Sequence, residues 1–361
     1  LPSFLSGTVG RGLSPFYAYE IGRRNRKFDQ GVGVTRLDRP VISVGNLSVG
    51  GTGKTPMVRT VVSWLIEGGH RPAIAMRGYK GTQGKTAEAG ATSDEAIEYQ
   101  RTLPAWADGT RVPIVAQADR LAGLGKLFAG GAGSRVDCVV LDDGFQHRQI
   151  ARDLDVVLVD ATRSPWQDHL LPRGWLREPV ESLSRAGAVV ITHVEAVGET
   201  AASDLAAKVR TMVPGAALAT TEHAWTSLRE SIGTAIAETV HDVGWLAGKK
   251  VVAVCAIGNP RPFIESVKRA VVAPGSGGTL AGEVVLPDHD PYGHAAMRRI
   301  GEMARRTGAQ VVVTTEKDWA KLRERNREGW GARVVRPTLK LTFKSGMDEL
   351  REVVLRGAKK A

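Results

Sequence analysis

The stretch Gly45-Asn46-Leu47-Ser48-Val49-Gly50-Gly51-Thr52-Gly53-Lys54-Thr55 follows an apolar run, Val41 to Gly45, and precedes a helical segment from about Pro56 to Glu67. A strand, a glycine-rich loop and a helix in that order make a phosphate-binding loop. Glycines let backbone N–H groups converge on phosphate oxygens, and the helix N-terminus adds positive potential. In this reading Ser48, Val49, Gly50, Gly51, Thr52, Gly53, Lys54 and Thr55 bind nucleotide, with Lys54 on the β/γ-phosphates and Thr55 on magnesium. The usual pattern begins with glycine, whereas this chain has Ser48 there. A glycine-rich turn with an incidental lysine is the bland alternative, and the flanking strand and helix weigh against it.

Outward from the loop, apolar runs at 73–76, 112–116, 136–141, 156–159 and 188–192 alternate with helical stretches. That rhythm predicts an α/β fold, a P-loop NTPase-like, mostly parallel sheet flanked by helices. It weakens over 217–248 and resumes at 249–257, with strands at 280–286 and 310–315 and helices near 262–270 and 293–307. The 361 residues exceed the usual reach of one core. The expected division is therefore an N-terminal segment 1–30, a P-loop kinase domain 31–216, a linker 217–248, and a second, smaller α/β domain 249–361.

Composition narrows the partners. Hydrophobic residues make up 42% and charged residues 24%, ordinary globular values. The net charge of +11 implies an anionic partner: nucleotide, nucleic acid or membrane. Basic residues are dispersed and aromatic residues are only 6%, which argues against a nucleic-acid module. The longest apolar run, Val251 to Ile257, is far below the roughly 18 residues of a spanning helix. Cys138 and Cys255 each lie in apolar runs and read as buried thiols of a reducing compartment. Near the start, Leu5, Val9, Leu13, Phe16, Tyr17 and Ile21 recur at helical spacing, followed by Arg23, Arg24, Arg26 and Lys27. This pattern fits an interfacial anchor with a basic collar or an ordinary packed helix, and Gly7, Gly10 and Gly12 weaken any helix there.

Three further segments carry acids or histidine. Val136 to Asp143 is an apolar strand ending in Asp142 and Asp143, the form that brings carboxylates beside a phosphate loop to hold magnesium. Thr92-Ser93-Asp94-Glu95 precedes a helical stretch; by residue chemistry alone it reads first as a cap with acids in the first turn, second as a proton acceptor. Leu286 to Tyr292 clusters His289 with Asp288 and Asp290, either an ordinary loop or a base with its partners. Thr314 to Asp318 reads equally as a capped helix start or as charge for a cleft.

Taken in order, these segments resemble the tetraacyldisaccharide 4'-kinase (lipid A 4'-kinase) family. The resemblance runs through Ser48–Thr55, Ser93-Asp94-Glu95, Asp119-Arg120, Asp142-Asp143-Gly144-Phe145-Gln146-His147, Leu171 to Pro179, Gly258-Asn259-Pro260, Asp288-His289 and Thr314 to Asp318. It implies ATP-dependent phosphorylation of the 4'-hydroxyl of tetraacyldisaccharide 1-phosphate, with magnesium, peripherally on the cytoplasmic face of the bacterial inner membrane. It also implies Asp94 as catalytic base, His289 as a partner met when the two domains approach, and Lys54 on ATP. Arg120 and Arg177 would neutralise phosphate charge, and Thr55, Asp142, Asp143 and Glu178 would surround magnesium. Two departures from the family pattern, Ser93 with Ala96 and Asp290, bear on rate. The alternative is a switch-type P-loop GTPase or metal-chaperone NTPase, for which the chain lacks an Asn-Lys-x-Asp guanine reader.

Overall fold

The computed structural model describes residues 8–50, 52–78, 94–231, 238–272, 275, 277–288, 290–323, 325 and 330–359. The chain divides into two compact units, one of residues 1–221 with 343–361, the other of residues 222–342.

In the first unit, strands β1 (Val41–Asn46), β2 (Pro72–Met76), β3 (Ile114–Ala116), β4 (Cys138–Asp142), β5 (Leu154–Asp160), β6 (Ala188–Thr192) and the start of β7 (Ala217–Ser231) form a parallel sheet. Its order is β7-β6-β5-β1-β4-β2-β3. Every residue of β1, β2, β4, β5 and β6 is buried. Such runs bury both faces, as a sheet covered on both sides requires. After β1 the chain builds β2, β3 and β4 on one side, then β5, β6 and β7 on the other. Chain travel thus reverses about β1, and in open α/β sheets the ligand crevice lies at the carboxyl ends of the strands at that reversal.

In the second unit, β9 (Lys250–Cys255) lies between β10 (Thr279–Val285) and β11 (Val311–Thr314), and β12 (Arg333–Ser345) follows β11, all parallel. Alternation along β9 builds two cores. Val251, Ala253 and Cys255 join Ile264 and Val267 of the helix Arg261–Val271, while Val252 and Val254 join Ile300 and Ala304 of the helix His294–Thr307. Both cysteines are buried and unpaired, and burial raises their thiols, Cys255 to about 12.

The observed division departs from the expected one in two places. Residues 217–248 are not a linker: β7 runs for 15 residues, pairs in parallel with β6 at its start and antiparallel with β8 (Glu238–His241) at its end. The C-terminal end belongs to the first unit, not the second. Phe343 packs on Trp64 at 5.5 Å between ring centroids, and Arg351 pairs with Glu67 at 2.8 Å. Leu350 and Val354 of the last helix, Met347–Gly357, are buried.

The N-terminal segment forms a 22-residue helix, α1 (Thr8–Asp29), despite its glycines. Tertiary contacts outweigh propensity here. Tyr17 donates to the Arg177 carbonyl at 3.0 Å, Asn25 to Glu178 Oε2 at 2.9 Å, and Arg148 pairs with Asp29 at 2.6 Å. Its outer side keeps Leu13, Phe16 and Tyr19 exposed.

Candidate active site

The glycine loop leaves β1 and enters α2 (Lys54–Glu67), the first helical residue being Lys54 itself. Gly50 at φ 121° and Gly53 at φ 81° take backbone conformations that side-chain-bearing residues rarely adopt. Ser48 pairs in antiparallel fashion with Leu176, and Val49 N–H donates to the Trp175 carbonyl at 2.8 Å. The segment Leu170 to Glu178 thus flanks the loop and carries Arg177 to it. Gly45 admits no larger residue, since a Cβ there would meet Phe145 Cβ at 2.6 Å. This close approach lays the segment after β4 against the end of β1.

A charge cluster results. Asp143, which follows β4, accepts from Arg177 at 2.8 Å and lies 3.5 Å from Lys54 Nζ. Lys54 also donates to Asn46 Oδ1 at 3.3 Å, and Arg120 reaches the Asp143 carbonyl at 3.4 Å. Burial by itself would raise the Asp143 carboxyl, but Lys54, Arg177 and Arg120 outweigh it and hold the group down at about 2. Asp143 is therefore ionised throughout the neutral range. It sits at φ 50°, a left-handed conformation that aspartate tolerates better than most residues. Asp142 is buried and accepts from Tyr99 at 3.0 Å. Arg120 is buried, and desolvation lowers its pKa. His147 is lowered to about 4, first by burial and then by Arg120 and Arg152, and so stays neutral at physiological pH.

The expected residues are thus partly assembled. Lys54, Asp143, Arg177 and Arg120 converge, with Asp142 beside them on β4. Thr55 is the second residue of α2. Glu178 is fully buried, and its Oε2 is held by Arg185 and Asn25, both at 2.9 Å. Asp94 opens the helix Asp94–Thr102. Gly51 and His289 lie outside the described residues. Thr315 takes the bland reading: it caps the helix Glu316–Leu322, its hydroxyl accepting from Asp318 N–H at 3.1 Å. Asp318 in turn accepts from Ala256 N–H at 3.1 Å.

Three polar contributors were not singled out in the sequence. Asn46 is buried at the end of β1 and holds Lys54, and Gln146 donates to the Asn46 carbonyl at 2.9 Å while accepting from Arg177 at 3.4 Å. Tyr99 is the third. The signal for Asn46 was a polar residue closing an apolar strand just before the glycines; a tyrosine five residues into an amphipathic helix gives no such signal.

A glycine loop at the end of a central parallel strand, with its lysine facing a strand-end carboxylate and two arginines, defines a P-loop nucleotide-binding phosphotransferase. The family model for tetraacyldisaccharide-1-phosphate 4'-kinase, LpxK, matches residues 9–356. The tetraacyldisaccharide 4'-kinase of Syntrophus aciditrophicus is 34% identical over 331 residues, 86% of this chain and 83% of that protein. That of Geobacter metallireducens is 36% identical over 325 residues, covering 84% and 86%. Among solved structures, "apo" form LpxK from Aquifex aeolicus in complex with ATP superposes with a TM-score of 0.64 at 26% identity, covering 98% of this chain and all of that one. The chain belongs to the tetraacyldisaccharide 4'-kinase family, and its activity is that phosphotransfer from ATP in lipid A biosynthesis.

Proposed function

We propose that the loop Ser48–Thr55 cradles the ATP phosphates while Lys54, Arg177 and Arg120 neutralise the charge that develops on the transferred phosphoryl group. The observation that carries this reading is the Lys54–Asp143–Arg177 cluster at the loop. A loose transition state leaves the protein mainly positioning and electrostatics to supply. Asp94 accepts the proton of the attacking 4'-hydroxyl, and His289 is its orienting partner.

Magnesium fits the donors present. Thr55, Asp142, Asp143 and Glu178 offer only hard oxygen ligands, the kind the ion prefers. Glu178 Oε1 is a buried acceptor that receives no hydrogen bond among the described residues, and Asp143 Oδ1 receives none either, with the Lys54 ammonium 3.5 Å from it. These residues would hold the ion, which would supply positive charge to offset that of the phosphate oxygens. Asp142→Asn is expected to raise the magnesium concentration for half-maximal transfer about tenfold, a charged contact being replaced by a neutral one. A magnesium titration at saturating ATP, following γ-label into the lipid, checks this. An unchanged requirement would remove Asp142 from the ligand set.

We further propose that α1 rests in the membrane interface at the cytoplasmic face of the inner membrane. No helix among the described residues is long and apolar enough to cross a bilayer. Leu13, Phe16 and Tyr19 are exposed at spacings of three on one side of α1, and Arg11, Arg23, Arg26 and Lys27 are exposed along it. Acyl chains would stay in the lipid while the sugar reaches the loop. Replacing Leu13 and Phe16 together by glutamate is expected to weaken binding to anionic vesicles by about tenfold or more, through lost apolar burial and added repulsion. Vesicle co-sedimentation reads this out; retention equal to the parent protein would refute the anchor.

A further inference from the structure

The end of β6 touches the phosphate loop. Thr192, its last residue, is fully buried and donates from Oγ1 to the Thr52 carbonyl at 3.1 Å. A hydroxyl carries one proton, so the same oxygen can only accept from His193 Nδ1, 3.3 Å away. His193 Nδ1 is also 3.3 Å from Asp160 Oδ1, at the end of β5. These distances place the imidazole proton on Nδ1, shared between the carboxylate and the hydroxyl. Asp160 is itself fixed by the backbone N–H and hydroxyl of Thr162, at 2.9 and 2.7 Å. His193 takes φ 57°, a left-handed conformation uncommon among residues that carry a side chain. All four members, Asp160, His193, Thr192 and Thr52, are buried.

The consequence lies in the peptide that Thr192 holds. In a trans peptide the carbonyl and the following N–H point in opposite directions. Turning the Thr52 oxygen toward β6 therefore turns the Gly53 N–H to the side remote from β6. Gly53 caps α2 in a left-handed conformation, so this N–H stands at the helix entrance, where an anion is favoured. Gly53, at φ 81°, has no Cβ to bias the orientation of that peptide.

We propose that Asp160, His193 and Thr192 are positioning residues for the phosphate loop: a relay that locks the Thr52–Gly53 peptide with its N–H facing the nucleotide phosphates. The proposal rests on the reading of Ser48–Thr55 as the phosphate loop. None of the three touches the nucleotide in this account; they act through the Thr52 carbonyl.

Thr192→Val keeps the side-chain shape and removes the hydroxyl. In the full chain, with magnesium and a fluorescent ATP analogue, it is expected to raise Kd about tenfold, the worth of one net hydrogen bond and the phosphate contact it aims. KM for ATP should rise in parallel, KM for the lipid acceptor should not, and Thr192→Ser should restore both ATP values. Asp160→Asn should weaken binding in the parent protein and add nothing in the Thr192→Val background, as members of one relay do. If thermal unfolding shows Thr192→Val to be poorly folded, Asp160→Asn combined with Thr192→Ser, which keeps the hydroxyl, serves instead: weaker binding of the analogue than with Thr192→Ser alone supports the relay, and equal binding overturns it. A folded Thr192→Val protein with parental ATP affinity, or a loss shared equally by the lipid KM, overturns the relay. Lys54→Ala is run alongside. If it too binds the analogue like the parent, the loop assignment falls and the relay with it; if it binds weakly while Thr192→Val does not, only the relay falls.

Discussion

Lys54→Ala is expected to lower kcat/KM for ATP about a thousandfold, comparable to losing a preorganised donor at a reacting centre. Lys54 stands at the first position of α2 with its ammonium 3.5 Å from Asp143 and 3.3 Å from Asn46. In the proposed role, removing it takes away the cation that would meet the β/γ-phosphates and leaves Asp143 facing them with less compensation. Both changes oppose an incoming anion. The same substitution has a signature in the absence of nucleotide. Lys54 is the first of the cations that depress Asp143 to about 2. A carboxyl depressed on folding stabilises the protein above its unfolded pKa, about 3.9, and that stability is lost as pH falls toward the folded value. With alanine at 54 the folded value rises, so less stability is present at neutral pH and less is lost between about pH 4 and 2. Steady-state kinetics and urea unfolding at pH 7 and pH 3 measure the two effects. Parental kcat/KM would exclude Lys54 from ATP use, and an unchanged pH dependence would show that Asp143 is held by the arginines alone.

The parts of this site that could be read from the sequence are those built from local chain. β6 falls at 188–192 in both readings, and the loop between β1 and α2 is set by glycines that only a left-handed backbone explains. Strands buried on both faces announce themselves as unbroken apolar runs. β7 did not, because its buried positions include Thr221, His223 and Glu230, polar residues that break up the apolar run. The last helix, Met347–Gly357, was not among the expected elements, and its membership of the first unit depends on Trp64 and Glu67 nearly three hundred residues away. Arg177 was named only through the family resemblance. In the structure it reaches Asp143 because the Leu170–Glu178 segment pairs with the phosphate loop, a register that no spacing in the chain encodes. The helix α1 shows the reverse case: its glycines argued against a helix, and contacts from Tyr17, Asn25 and Asp29 settled it.

Asp94→Ala is expected to lower kcat about 10²–10⁴-fold, the usual contribution of a positioned base, with KM for ATP changed by about twofold or less. The tie between Asp94 and the site runs through its own helix. Asp94 opens Asp94–Thr102, and Tyr99, fully buried five residues on, donates to Asp142 at the end of β4. That bond fixes the helix entrance to the acid beside the phosphate loop. The competing role is local: an acid in the first turn stabilises a helix by favouring its dipole and capping its free N–H groups. Asn keeps the size and local hydrogen bonding of a first-turn Asp, giving up only a dipole contribution of about 0.3–1 kcal/mol, but cannot take a proton at neutral pH. Asp94→Asn therefore separates the two. As a base, Asp94 leaves the asparagine variant with near-parental stability and the kinetic loss of alanine. As a cap only, both stability and kcat return with asparagine. Single-turnover transfer of γ-label to tetraacyldisaccharide 1-phosphate, paired with thermal unfolding of both variants, decides it; kcat restored by asparagine would move the proton acceptor elsewhere.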